Sequence, residues 1–259
     1  MSQSELRVPI EFRRNYSTQN EEATIDGAVW LIDHMCRHLG LEDLGDSEVL
    51  DFGCGVRFSQ AFLNRGVPIK RYVGVDAYGA MIDYLHANVS DPRLEYVHVN
   101  AHNDLYNPTG EIMSERTTLP IDGQQFDLIC LFSVFTHLAP HDYVSMLRLL
   151  RRFAKPDGWL FYTLFIDEET EGGHGLTDKL PRALRESSDP ELRQKLASAP
   201  PSAPRETVPF RDVSPDKPLL AAMYSREHAL ELVEGTGWEV LDVFPPDVHL
   251  QHHIICAPR

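Results

Sequence analysis

No apolar run in this chain approaches the ~18 residues that a membrane span needs. Met1–Ser17 is charged and lacks the apolar stretch of a secretory leader. Cysteine is scarce. The four residues, Cys36, Cys54, Cys130 and Cys256, show no C-x-x-C spacing, and three lie in apolar runs. Free cysteine there behaves as a small hydrophobe, so the expectation is a reducing, cytoplasmic setting without a disulfide framework. Positive charge is also short: 24 basic against 39 acidic side chains give a formal charge of −15. That balance argues against a nucleic-acid partner, which needs a basic footprint. Arg148, Arg151 and Arg152 form a small basic patch, read here as a solvated face near a helix C-terminus. What the chain does have is 259 residues at 42% hydrophobic content, enough for one domain (1–259) with elaborations.

The densest information lies at the first turn. A strand-like run, Glu48–Phe52, leads into Gly53-Cys54-Gly55, and a second apolar run, Tyr72–Val75, ends in Asp76. Strand, glycine turn, helix and an acid at the next strand tip make a nucleoside-binding half-unit. Glycines let the backbone approach a ligand without a Cβ in the way. A dinucleotide fingerprint needs a third glycine at Phe58, and phenylalanine there argues against a tight wrap around a pyrophosphate. What remains is D-x-G-x-G, Asp51-Phe52-Gly53-Cys54-Gly55.

On these residues the chain resembles the class I S-adenosylmethionine-dependent methyltransferases. Later segments agree in order. Phe126–Phe132 resembles the family's fourth strand, and Leu149–Lys155 followed by Pro156–Phe161 resembles its helix, turn and fifth strand. The resemblance runs from about Ser47 to Phe165 and resumes at Tyr224. It implies a doubly wound α/β fold, Rossmann-like, with a seven-stranded, mostly parallel sheet and an antiparallel C-terminal strand. Turn chemistry points the same way: Trp238–Phe244 and His249–Ala257 read as strands joined tightly through Pro245-Pro246-Asp247.

Between these landmarks, Ile25, Val29, Ile32, Cys36 and Leu39 recur at helical spacing with Gly40 as the stop. Helices are also expected at Arg57–Arg65, around Met81–Leu85, over Tyr143–Leu150 from Pro140, and from Ser225 through Glu234. Leu94–Val99 reads as the third strand, whereas Asn100–Gln125 lacks periodicity. Residues 1–46 form an N-terminal flap and helix, in which Arg13, Arg14 and Tyr16 stand ready to close over a ligand. Residues 167–223 form an insertion with a helical candidate at Pro190–Ala197 and a Pro/Ala/Ser stretch. It reads as a lid or docking arm, or as a surface insertion.

Ligands of open α/β sheets sit at the carboxyl ends of the strands. The resemblance places S-adenosylmethionine there, with Asp51, Gly53, Cys54 and Gly55 along its methionine part and Asp76 on the ribose hydroxyls. Asn100, Ala101 and His102 bracket the adenine, and Phe132 and Ser133 face the sulfonium. The family often has aspartate at position 100, so Asn100 alters that contact. Arg57 departs from the usual small residue, and its guanidinium is suited to the cofactor's carboxylate or, as the plainer alternative, to the surface.

Methyl transfer to a hydroxyl needs positioning and a proton acceptor. His137, just past the fourth strand, is the candidate base, with a capping or cofactor-contacting role as the alternative. Asp167 is a second catalytic candidate, and Glu168, Glu169 and His174 are expected to meet the acceptor together with Phe135 and Tyr224. No metal is expected: alternation sets His252 on the opposite face from His249 and His253. The expected acceptor is a small hydroxylated molecule, a sugar or glycoside first and a phenolic or polyketide metabolite second. A catalytically silent cofactor-binding scaffold is the reading from another class. Oligomeric state, a homodimer included, stays open.

Overall fold

The structure is a computed structural model that describes residues 5–13, 20–103, 107–170, 208–213, 219, 221–246 and 250–259, with the backbone of 173–174. It is an α/β fold in the following order: α1 (Glu21–Leu39), β1 (Leu44–Phe52), α2 (Arg57–Asn64), β2 (Ile69–Asp76), α3 (Gly79–Asn88), β3 (Leu94–His98) and β4 (Phe126–Leu131). Then follow α4 (Pro140–Arg151), β5 (Ala154–Ile166), β6 (Glu169–Thr170), β7 (Gly173–His174), β8 (Phe210–Asp212), β9 (Ala222–Tyr224), α5 (Arg226–Glu231), β10 (Trp238–Phe244) and β11 (His252–Pro258).

The main sheet runs β10-β11-β5-β4-β1-β2-β3, with β9 beside β5 and β8 beside β9. The central pairs β1–β2, β1–β4 and β2–β3 are parallel. The C-terminal strands are antiparallel. The seven-stranded path matches the expectation, and the two short strands β8 and β9 extend it; β6 and β7 form a separate hairpin. The chain divides into two compact units, residues 1–132 with 149–161 and 258, and residues 133–148 with 162–257 and 259. β5 is the strand common to both.

Sequence logic explains most of the first unit. Asn20 caps α1 by accepting from the Ala23 N–H, and Gly40 ends it in the left-handed conformation at φ 68°. β1, β2 and β4 are buried almost throughout, as strands covered on both faces should be. The N-terminal segment is fixed to the helices. Asn64 exchanges two hydrogen bonds with the Leu6 backbone, at 2.8 and 3.0 Å, and Tyr84 donates to the Arg7 carbonyl. Arg13, expected in a flap over the ligand, instead pairs with Glu21 at 2.9 Å and donates to the Val8 carbonyl. Arg14 and Tyr16 lie outside the described residues.

Three boundaries differ from expectation. The expected turn at Pro156–Gly158 lies within β5, which starts at Ala154. Gly158 is what permits this, because a Cβ there would stand 2.9 Å from the Phe126 carbonyl oxygen and 3.0 Å from that of Asp127. β11 starts at His252 rather than His249, and 247–249 lie outside the described residues. α5 ends at Glu231 rather than Glu234, and the chain turns through Gly235 and Gly237 at φ 69° and 88°. Residues 107–125 carry no named element and are pinned from outside. Arg152 donates to the carbonyls of Glu115 and Thr117 and pairs with Asp122 at 2.5 Å, and Arg71 donates to Gln124. The helix expected at Pro190–Ala197, with most of the 167–223 insertion, lies outside the described residues.

Candidate functional site

In the first unit the tips of β1, β2 and β3 carry most of the residues expected to hold the cofactor. Gly53 and Gly55 both adopt left-handed conformations, φ 80° and 53°. At Gly55 an added Cβ would meet nothing within 4 Å, so the glycine is required by its backbone angle and not by crowding. The Gly53 and Cys54 N–H groups both donate to the Val75 carbonyl, which binds the turn to β2. Cys54 is buried, with its sulfur over Gly74, where a Cβ would come within 2.9 Å of it. It therefore offers a ligand only its backbone.

Asp76 ends β2 as the sequence requires. Its Oδ2 accepts from the Gly55 N–H at 3.0 Å and its Oδ1 from the Tyr78 N–H at 2.9 Å. Two donors leave about half of a carboxylate's acceptor sites open. The glycine turn and the acid are thus one hydrogen-bonded unit. Phe12, from the N-terminal segment, packs edge-on against Tyr78 with centroids 5.6 Å apart. No sequence pattern pointed to that pair.

Asp51 lies one step back, opposite Gly74 and Cys130 in the sheet. It is 3% exposed and accepts from the Tyr72 hydroxyl at 2.7 Å. Burial pushes its carboxyl up to about 7, against the opposing pull of Tyr72, Cys130 and Arg57. Arg57 opens α2 nearby. Its Nε is enclosed and has no hydrogen-bond partner among the described residues, and a Cβ at Gly27 of α1 would stand 3.2 Å from its Nη2. Burial pulls the guanidinium's pKa down, and Asp51 acts against that. Phe58 is buried against Phe62 and Phe132, so the third-glycine position is filled by a ring.

At the β3 tip, Asn100 lines a recess of about 100 Å³ with Val99, Glu111, Ile112 and Thr117. Asn107 Nδ2 donates to both Asn100 Oδ1 and the Ala101 carbonyl, each at 3.0 Å. A carbonyl only accepts, so this contact fixes both amides: Asn100 keeps its NH₂ turned from the loop. Ala101 is buried and bridges to Glu111, and the His102 N–H is taken by the Glu111 carbonyl. A larger hollow of about 220 Å³ lies among Glu5, Arg7, Glu21, Glu22 and Asn64, at the far end of α2 from the strand tips. Phe132 packs between Phe58 and Phe161.

The second unit holds the remaining predicted residues. Ser133, exposed, stands at φ 60°, a left-handed angle unusual for serine. Its N–H donates to Thr163 Oγ1 at 2.8 Å, and its hydroxyl bonds the Gln251 amide. His137 is exposed, with Nδ1 3.0 Å from the Leu219 carbonyl oxygen. Because that oxygen only accepts, Nδ1 carries the proton and neutral His137 presents the lone pair of Nε2. Asp167 is buried at the end of β5, its N–H on the Tyr224 carbonyl at 2.7 Å.

Three expected acceptor contacts are placed elsewhere. Phe135 and Tyr224 are fully buried in an aromatic cluster with Tyr143 and Tyr162, and the Tyr224 hydroxyl donates to the Leu138 carbonyl at 2.6 Å. Both Glu168 oxygens accept from Arg226, at 2.6 and 2.7 Å, and Oε1 lies 2.8 Å from His252 Nε2. Glu169 and His174 face each other in the β6–β7 hairpin, and their side chains lie outside the described ones. Sequence reasoning missed Gly27, Asn107, Leu219 and Gln251. Gly27, as an isolated glycine within a helical pattern, and Asn107, in the turn run Asn107-Pro108-Thr109-Gly110, gave the signals among them.

The methyltransferase-domain family matches residues 31–243, and the chain belongs to it. Among solved structures it is similar to a protein from Pyrococcus horikoshii OT3, at 16% identity, with a TM-score of 0.54 and coverage of 94% of this chain and 95% of that one. It is similar also to magnesium protoporphyrin IX methyltransferase from Synechocystis PCC 6803, solved with bound SAH, at 12% identity, TM-score 0.50, over 95% and 89% of the chains. Mitomycin 7-O-methyltransferase is similar at 13% identity and TM-score 0.50, over 92% of this chain and 54% of that enzyme. At such identities the likeness establishes the fold. Among the described residues no helix is long and apolar enough to cross a membrane.

Proposed function

We propose that this chain is an S-adenosylmethionine-dependent methyltransferase that acts on a hydroxyl of a small molecule, with a sugar or glycoside as the assigned acceptor class. One observation carries the cofactor reading: the two left-handed glycines and Asp76 are joined through the Gly55 N–H, so the bare backbone and the ribose-facing carboxylate are set together. When bound, the cofactor supplies a methyl group activated by a sulfonium. Gly53 and Gly55 would lie along its amino-acid part, Asp76 would accept from the ribose hydroxyls, and Asn100 with Ala101 would border the base.

His137 is assigned proton removal from the acceptor hydroxyl. Its support is the tautomer fixed by the Leu219 carbonyl, which leaves Nε2 as the acceptor. Asp167, buried and close in sequence to Glu168, is assigned to orienting the acceptor. The acidic balance of the chain supports a neutral or cationic acceptor over a nucleic acid.

Two measurements test this reading. Titration calorimetry with S-adenosylhomocysteine should show binding, and a flat trace refutes the cofactor assignment. A panel of glycosides and phenols, followed by release of S-adenosylhomocysteine, tests the acceptor. Turnover on phenols alone would replace the sugar assignment, and binding without turnover on any acceptor would favour a scaffold. With an active acceptor, His137→Ala should lower kcat by about 10²–10⁴-fold and leave S-adenosylhomocysteine affinity unchanged.

A further inference from the structure

We propose that Asp212 is a positioning residue: through the backbone of Leu219 it holds His137 in the tautomer that proton removal needs. The inference rests on the assignment of His137 above and deepens it.

Strained backbone gathers at His137. Among the described residues, Ser133 and Leu219 are the two with a positive φ that are not glycine, at 60° and 57°. Ser133 shortly precedes His137 in the chain, and Leu219 touches its ring. A side chain as large as leucine crowds its own backbone in that region, so the angle persists only where surrounding contacts hold it. For Leu219 both contacts are defined. Its N–H donates to Asp212 Oδ2 at 2.8 Å, and its carbonyl oxygen lies 3.0 Å from His137 Nδ1. One residue thus links a carboxylate to the imidazole, with a backbone polar group engaged at each end.

Both ends of this link stand on regular structure, which is what a positioning contact requires. Asp212 closes β8, where it pairs with Ala222 of β9, and the Val213 N–H donates to the Ala221 carbonyl. β9 in turn pairs with the end of β5. His137 ends a single 3₁₀ turn, Phe135–His137, and the next carbonyl, that of Leu138, accepts from the Tyr224 hydroxyl of β9 at 2.6 Å. The backbone beside His137 and its ring are therefore fixed from the same β8–β9 pair in two places. The chemistry needs such a device. A free neutral imidazole favours the proton on Nε2, which would aim a donor at the acceptor hydroxyl in place of a lone pair. The Leu219 carbonyl reverses that preference while Asp212 keeps Leu219 in its strained conformation.

Nitrogen-15 NMR of the full chain labelled at histidine, at about pH 8 where imidazole is neutral, reads the tautomer without any acceptor. The His137 ring, assigned by the loss of its signals in His137→Gln, should carry its proton on Nδ1 in the wild type. Asp212→Ala should move the proton mainly to Nε2. Asp212→Asn, which keeps an oxygen for the Leu219 N–H, should retain Nδ1–H. With an active acceptor, Asp212→Ala should lower kcat by about 10- to 100-fold with KM within about threefold, and Asp212→Asn should restore it. In a His137→Ala background, Asp212→Ala should add no further loss. A wild-type ring protonated on Nε2, or an Asp212→Ala ring that keeps Nδ1–H, overturns the proposal and leaves the base assignment to its own test. A full additional loss in the His137→Ala background also overturns it, because Asp212 would then act apart from His137. Normal turnover by His137→Ala would instead remove the base assignment, with the Nδ1–H signal and its dependence on Asp212 left standing.

Discussion

Asp51 is a carboxyl group on the inside of a parallel sheet, and its position makes the protein's stability depend on pH near neutrality. The groups facing it are Tyr72 on β2, Cys130 on β4, Asp76 at the β2 tip and Arg57 on α2. Burial outweighs the hydrogen bonds and the cation, so the folded state prefers the protonated form up to about pH 7, well above the ordinary carboxylate value of 3.8. A raised value in the folded state means that the group's contribution is fully present below the unfolded value and is lost as pH rises through about 7. Wild-type Tm should therefore fall between pH 5 and pH 8. Asp51→Asn should flatten that slope and recover stability on the order of up to 4 kcal/mol at pH 8. Calorimetric scans of both proteins across this range check it, and parallel curves would show that Asp51 is ionised throughout. The sequence announced this residue as part of D-x-G-x-G. It did not announce the buried environment, because Tyr72 and Cys130 reach Asp51 through sheet register, which one strand's pattern does not contain.

At the scale of elements, Glu168 ties three ends together. It follows β5, its bidentate partner Arg226 opens α5, and His252 opens β11. The Arg226 hydrogen bonds, ahead of the His252 charge, hold the Glu168 carboxyl below its ordinary value. A lowered value contributes stability above the unfolded carboxylate pKa and loses it as pH falls through the folded one. Glu168→Gln should cost about 1 kcal/mol at pH 7, a modest figure because the Arg226 side chain is 40% exposed. The cost should vanish in acid below about pH 4, which urea titrations at pH 7 and pH 3.5 distinguish. Sequence reasoning had offered Glu168 to the acceptor, since an acid after the fifth strand looks the same whether it binds ligand or clamps neighbours. The strands and helices themselves were legible wherever burial imposes a period, as in α1 with its Gly40 stop. Their ends were not: β5 starts early because Gly158 admits the β4 carbonyls, a contact that only the folded sheet defines.

For the molecule as a whole, alternation of strand and helix was enough to read the doubly wound sheet, and the glycine turn and its following acid, legible as a spacing, are joined in the fold by the Gly55 N–H on Asp76. The acceptor side was not legible, because Phe135 and Tyr224 carry the composition of a binding wall and the burial of a core. The same architecture bears on cooperativity. β5 is a single strand of 13 residues, and Ala154–Phe161 belongs to the first unit while Tyr162–Ile166 belongs to the second. Breaking this one strand between Phe161 and Tyr162 would leave its own backbone N–H and carbonyl groups unpaired, which is costly in a buried strand. One thermal transition is therefore expected despite the two units. S-adenosylhomocysteine at a hundred times its dissociation constant should move that transition as one, by about 2.7 kcal/mol or roughly 5–10 °C. Scanning calorimetry with and without the ligand reads both quantities. Two transitions, only the one of the glycine-turn unit rising with ligand, would mean that β5 breaks at the boundary and that the units fold as separate bodies.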